Sequence, residues 1–113
     1  MKKHTVIFID DFRKPNKYID CTRNKVFCAY NYEDFIRVLN FIYSKYGMPY
    51  EVWFDHDLGS ADEGNGLDCA KYLVDFCIEH NEKLPEYHIQ SANPVGKVNI
   101  DSYLKSYLKS LTI

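Results

Sequence analysis

At 113 residues the chain has room for one domain built on one core. With 46% hydrophobic and 27% charged residues it is not a disordered segment. A net charge of −2 and a pI near 6.0 argue against duplex DNA as a partner, which favours a strongly basic face. A single nucleotide or a short RNA end needs only a local site. No apolar run nears the length of a membrane span, so no membrane partner is expected. The four cysteines, Cys21, Cys28, Cys69 and Cys77, form no C-x-x-C pair. That pattern indicates neither a zinc ribbon nor a redox motif, and the expected setting is the reducing cytoplasm.

The first predicted element is the run T-V-I-F-I at 5–9, a strand apolar enough to be buried on both faces. It stops abruptly at Asp10 and Asp11. Residues 12–24 read as mostly loop, and 26–30 as a second strand. An antiparallel hairpin between 18–21 and 26–29, turning at Arg23 and Asn24, is the alternative. Asn31 is an N-cap candidate with Glu33 and Asp34 in the first turn behind it. The helix that follows carries Phe35, Val38, Leu39, Ile42 and Tyr46 on one face, and Gly47 and Pro49 end it.

The third strand, E-V-W-F at 51–54, also breaks off at acidic residues, Asp55 and Asp57 with His56 between them. A polar loop from Gly59 to Gly66 leads into a helix over 67–80 that buries Leu67, Ala70, Leu73, Val74 and Cys77. Cys69 and Cys77, eight apart in this pattern, read as core residues. A fourth strand is predicted over 87–90, a turn over 91–96, and a last helix over 99–110 packing Ile100, Tyr103, Leu104, Tyr107 and Leu108.

Strands alternating with helices imply β-α-β units and a mainly parallel sheet covered on both faces. Ligands of such sheets bind beyond the carboxyl ends of the strands. Asp10 and Asp11, Asp55 and Asp57, and Ser91 and Asn93 each lie just past such an end, so three distant segments are expected to converge on one edge.

Clustered carboxylates repel one another unless a cation, a proton or solvent relieves them. Oxygen donors suit a hard divalent ion, and Mg²⁺ or Mn²⁺ held by Asp10, Asp11 and Asp55 is the expectation. Asp57 and His56 are candidate proton carriers. Strand alternation would turn His56 away from the side that Asp55 and Asp57 face. Arg13 could reach back to a phosphate with its planar fork. Ser91, Asn93, Gly96 and Lys97 could cradle the same anion through hydroxyl, amide, backbone N–H and ammonium groups. Gly64, Gly66 and Asp68 would allow a tight loop over the site. His4 and His80 are assigned no role, and His88 is read as a core or edge residue of its strand.

With these residues assembled, the chain resembles response-regulator receiver domains. Asp10 and Asp11 match the receiver's acidic pair, Asp55 its phosphoacceptor and Ser91 its hydroxyl residue. More closely, I-D-D-F-R-K-P at 9–15, F-D-H-D-L-G at 54–59 and S-A-N-P-V-G at 91–96 are similar to the cyclic-phosphate processing receiver domain family. The resemblance implies a single receiver-like domain over 1–113, a small three-layer α/β sandwich with a mainly parallel four-stranded sheet. The first receiver helix and the fifth strand with its lysine are missing from the pattern, and Lys97 is a candidate substitute for that lysine.

The implied ligand is a cyclic nucleotide or the terminal phosphate of an RNA. The implied activity is metal-dependent hydrolysis at the Asp cluster, with Asp55, Asp57 and His56 as its catalytic residues. Gln90 stands where the closer family would place a histidine. The alternatives are a stand-alone signalling module phosphorylated on Asp55 and a binder of cyclic nucleotides without turnover.

Overall fold

The apolar runs become strands and the periodic runs become helices. In a computed structural model that describes residues 4–10, 15–55, 64–90 and 93–111, the elements are β1 (His4–Ile9), a 3-10 turn (Pro15–Lys17), β2 (Asn24–Ala29), α1 (Tyr32–Tyr46), β3 (Glu51–Phe54), α2 (Gly66–His80), β4 (Glu86–Ile89) and α3 (Pro94–Ser110). The sheet order is β2-β1-β3-β4, and every pairing is parallel. β1 and β3, the strands that end in Asp10 and Asp55, are therefore the two central ones.

The alternative hairpin does not form. Residues 18–21 make turns instead. Tyr18 and Ile19 donate their N–H groups to the Pro15 carbonyl, and Arg23 and Asn24 donate theirs to that of Asp20. The Asp20 carboxylate also accepts from the Thr22 N–H at 2.9 Å, an Asx turn that uses the polar groups a strand would need. β2 is left to pair in parallel with β1, from His4 opposite Asn24 to Ile9 opposite Ala29.

Strand alternation sorts the side chains into two layers. Ile7, Ile9, Ala29, Val52 and Phe54 face one side, where Phe35, Leu39 and Ile42 of α1, six residues of α2 and Ile100 and Leu104 of α3 complete one buried cluster. All three helices cover this face. The opposite face carries Val6, Phe8, Val26 and Trp53, with Ile19 from the 15–24 segment packed on them. The third layer of the sandwich is thus irregular chain. Among the described residues no α-helix stands between β1 and β2, only the 3-10 turn, and no fifth strand follows β4. None of the helices described is long and apolar enough to cross a membrane.

The helix caps follow local chemistry. The Asn31 side chain accepts from the Asp34 N–H, and Gly47 closes α1 at φ 92°. Asn65 and Asp68 form a reciprocal capping box at the start of α2. The last helix begins five residues earlier than the periodicity predicts. Pro94 sits at its first position and Asn93 caps it, accepting from the Gly96 N–H at 3.0 Å. Asn followed by Pro is a helix-start signal, and it moves Gly96 and Lys97 from a turn into the first turn of α3.

Candidate functional site

Parallel pairing brings the ends of β1, β3 and β4 into one row. Phe8 is opposite Trp53, and Phe54 is opposite Ile89. The same register carried past the strand ends sets Asp10 beside Asp55 and Asp55 beside Gln90. Two hydrogen bonds carry the flanking ladders that far: from β1 to β2, Asp10 N–H donates to the Ala29 carbonyl at 3.0 Å, and from β4 to β3, Gln90 N–H donates to the Phe54 carbonyl at 2.9 Å. Asp10 is 1% exposed and Asp55 4%, which places two carboxylates inside the protein at the carboxyl edge of its two central strands. Carboxylates so far from water persist only where charge or hydrogen bonds compensate them.

Gln90 supplies part of that compensation. Its amide reaches from β4 past the end of β3, with Nε2 at 3.4 Å from both Asp10 Oδ2 and the Ile9 carbonyl. Both contacts are long. Two acceptors on one side fix the amide with its nitrogen toward β1. Its Oε1 is then buried and has no hydrogen-bond partner among the described residues. An acceptor left so costs of the order of 1–3 kcal/mol.

The other expected site residues divide into two groups. Asp11, Arg13, His56, Asp57 and Ser91 lie outside the described residues. Asn93, Gly96 and Lys97 are all in place at the start of α3, but their chemistry is partly committed. The Gly96 N–H is taken by Asn93 Oδ1 at 3.0 Å, and the Lys97 N–H by the Asn93 carbonyl at 2.9 Å. Gly96 is buried, while the Lys97 side chain is exposed and free to turn toward the sheet edge. An anion that used the Gly96 N–H would have to displace the Asn93 cap.

The glycine-rich stretch after β3 also acquires definite roles. Gly64 has φ +93°, and a Cβ added there would stand 3.0 Å from the Tyr32 Cβ. Only glycine fits that close approach of the loop to α1. Gly66 is the first residue of α2, and Asp68 accepts from the Asn65 N–H at 2.9 Å. Those two residues anchor the helix.

Among the described residues no three His, Cys, Asp or Glu side chains come close enough together to hold a metal ion. The donors that are described, two buried carboxylates at neighbouring strand ends, fit a hard divalent cation in kind. Two carboxylates with waters and ligand oxygens are the usual first sphere of Mg²⁺.

The pattern also holds residues that periodicity alone did not single out. Trp53 and His88 stack at 4.3 Å on the face opposite the helices. Glu51 Oε1 lies 3.0 Å from Trp53 Nε1 and 3.2 Å from His88 Nε2, tying the pair together. The signal was the spacing of two between Trp53 and Asp55 and between His88 and Gln90.

A parallel sheet with Asp10 and Asp55 at the carboxyl ends of its central strands, and Gln90 at the end of the next, defines a receiver-like α/β protein. Residues 5–106 match the family model of the Cyclic-phosphate processing Receiver domain, and the chain belongs to that family. No curated protein and no solved structure matches it.

Proposed function

We propose that the chain hydrolyses a cyclic phosphate ester, on a nucleotide or at an RNA end, with a divalent cation held at Asp10, Asp11 and Asp55. The observation that carries this reading is the burial of Asp10 and Asp55 side by side at the carboxyl edge, in a member of a cyclic-phosphate processing family. Two carboxylates withdrawn from water make a demanding arrangement, and a hard cation relieves it.

Bound Mg²⁺ or Mn²⁺ supplies polarisation of a phosphoryl oxygen and a more acidic water. The chain's own residues do the rest. Arg13 and Lys97 neutralise the phosphate, and Ser91 and Asn93 orient it. The Gln90 amide holds Asp10 in place. Asp57 or His56 takes the proton of the attacking water as its oxygen bonds to phosphorus. The ring P–O ester bond breaks, and the departing oxygen is protonated to a hydroxyl. The product is a phosphomonoester beside that hydroxyl.

The test is turnover of 2′,3′- and 3′,5′-cyclic nucleotides by purified protein supplied with Mn²⁺ or Mg²⁺. Asp55→Ala is expected to lower the rate by about a hundredfold or more. Absence of turnover across that panel, with metal present, would sink the catalytic reading. A second reading is a binder that retains its ligand unchanged. Gln90 favours it, since an amide carries no proton that titrates near neutral pH. Ligand-dependent thermal stabilisation with the cyclic phosphate recovered intact is its signature.

A further inference from the structure

The three strands that reach the site share one spacing. Phe8 precedes Asp10 by two residues on β1, Trp53 precedes Asp55 on β3, and His88 precedes Gln90 on β4. Residues two apart in a strand face the same side, roughly 7 Å from each other. The aromatic side chains therefore form a second row behind the polar one, on the sheet face opposite α1, α2 and α3. The rings are in contact across the strands. Phe8 and Trp53 are 6.2 Å apart between centroids, and Trp53 and His88 are 4.3 Å apart with planes inclined by 28°. Glu51, bonded to both Trp53 and His88, keeps the outer two rings in register.

The row ends at the sheet edge, because β4 has β3 on one side only. One face of the His88 ring lies on Trp53, and its side chain is 41% exposed. Around the β4 edge beside it runs a groove of about 490 Å³, lined by Trp53 and His88 from this face, by Tyr87 and Ile89 from the helix-covered face, and by Lys97, Val98 and Asp101 from α3. That volume falls in the range of small-molecule sites. A planar heterocycle entering the groove would extend the aromatic stack. It would have apolar contact from Ile89 and Val98, and at its margin the Asp101 carboxylate, which Lys105 holds at 2.8 Å, while Lys97 remains for the phosphate. Flat ring surfaces with a few polar groups at their margin are how proteins hold unpaired bases.

We propose that this groove is a nucleobase subsite: the ligand whose phosphate lies at the Asp10–Asp55 edge places its base on His88, continuing the His88–Trp53 stack, with the Lys97–Asp101 face of α3 opposite. The inference rests on the cyclic-phosphate reading and narrows it to nucleoside cyclic phosphates, free or at the end of an RNA. Ligands without a base lose this half of the site.

The experiment is titration calorimetry with the full chain, using Ca²⁺ in place of Mn²⁺ to slow turnover. The probes are adenosine 2′,3′-cyclic phosphate, a short RNA ending in a 2′,3′-cyclic phosphate, and base-free glycerol 1,2-cyclic phosphate. Both base-bearing probes are expected to bind about tenfold tighter than glycerol cyclic phosphate or better. The stronger of the two identifies the source of the base. His88→Ala and, independently, Val98→Asp are expected to remove that advantage and leave the base-free affinity unchanged. Both positions are accessible enough for the variants to fold, Val98 being 61% exposed. Equal affinity for all three probes, or equal losses for all three in the variants, overturns the subsite. If no cyclic phosphate binds, adenosine 5′-monophosphate is titrated while the amide resonances of His88 and Ile89 are followed. Shifts there retain the subsite and reject the cyclic-phosphate reading alone, and their absence overturns both.

Discussion

Cys69 and Cys77 show how a single atom type can set the alkaline limit of a fold. Both are buried in the cluster between sheet and helices. Burial, with Glu82 adding to it, pushes the Cys77 thiol up to about 11, from an ordinary 9.0. Burial, with Asp68 adding to it, pushes Cys69 up as well. The folded protein therefore keeps both protons in a range where the unfolded chain has lost them. Folded protein binds more protons there, so stability falls as pH rises from about 9 toward 11. The half-buried tyrosines Tyr32, Tyr87 and Tyr103 shift the same way, partial burial being the main cause, and add to the slope above 10.

Urea midpoints measured from pH 8 to pH 10.5 should decline. They should decline less steeply in Cys69→Ala/Cys77→Ala, although that variant starts out less stable. An equal slope in the two proteins would assign the alkaline loss to the tyrosines. That these cysteines belong to the core was legible from their spacing. The Gln90 contact to Asp10 was not, because it joins residues 80 apart in sequence and depends on register.

Among the elements, α3 is the one whose limits the sequence pattern misplaced. Apolar periodicity starts at Ile100, because Pro94, Val95, Lys97 and Val98 do not point into the core: Val95 is 68% exposed and Val98 61%. The first turn is held by a cap, a local feature that a search for periodicity passes over. Asn93→Ala should therefore cost about 1 kcal/mol of stability, whereas Asn93→Asp should restore most of it, since a carboxylate accepts the same Gly96 N–H and favours the helix start. Chemical denaturation of the two variants checks this. The other boundaries lay within two residues of expectation, because Asn31, Gly47, Asn65 and Pro85 punctuate the chain where strands and helices change over. The strand ends at Asp10 and Asp55 were legible for the same reason. The chemistry beyond those ends rests on Asp11, Arg13, His56, Asp57 and Ser91, outside the described residues.

At the scale of the whole molecule, the described residues form a parallel sheet with α1, α2 and α3 on one side, an unusual balance for strands this apolar. Val6 and Phe8 of the central strand β1 are 0% and 1% exposed all the same, so the other side must be sealed by something. The seal is the segment between β1 and β2. Its 3-10 turn and the Asp20 turn hold Ile19 down over Phe8, Val6 and Val26, with Tyr18 6.0 Å from the Phe8 ring. Among its described residues this crossover carries no α-helix, and Ile19 and the Tyr18 ring complete the second core. It covers the face as far as Trp53, whose ring lies 6.2 Å from that of Tyr18, and leaves the β4 end, with His88, for the proposed base. Stability and binding are divided along that line. Ile19→Ala should remove the seal and destabilise the fold by about 2–4 kcal/mol, the range for a large buried aliphatic side chain. His88→Ala, at the open end, should change the denaturation midpoint little. Urea unfolding of both variants measures the contrast. A small loss in Ile19→Ala would mean that the second face needs no cover, and a large loss in His88→Ala would make the aromatic row a structural device instead of a binding surface.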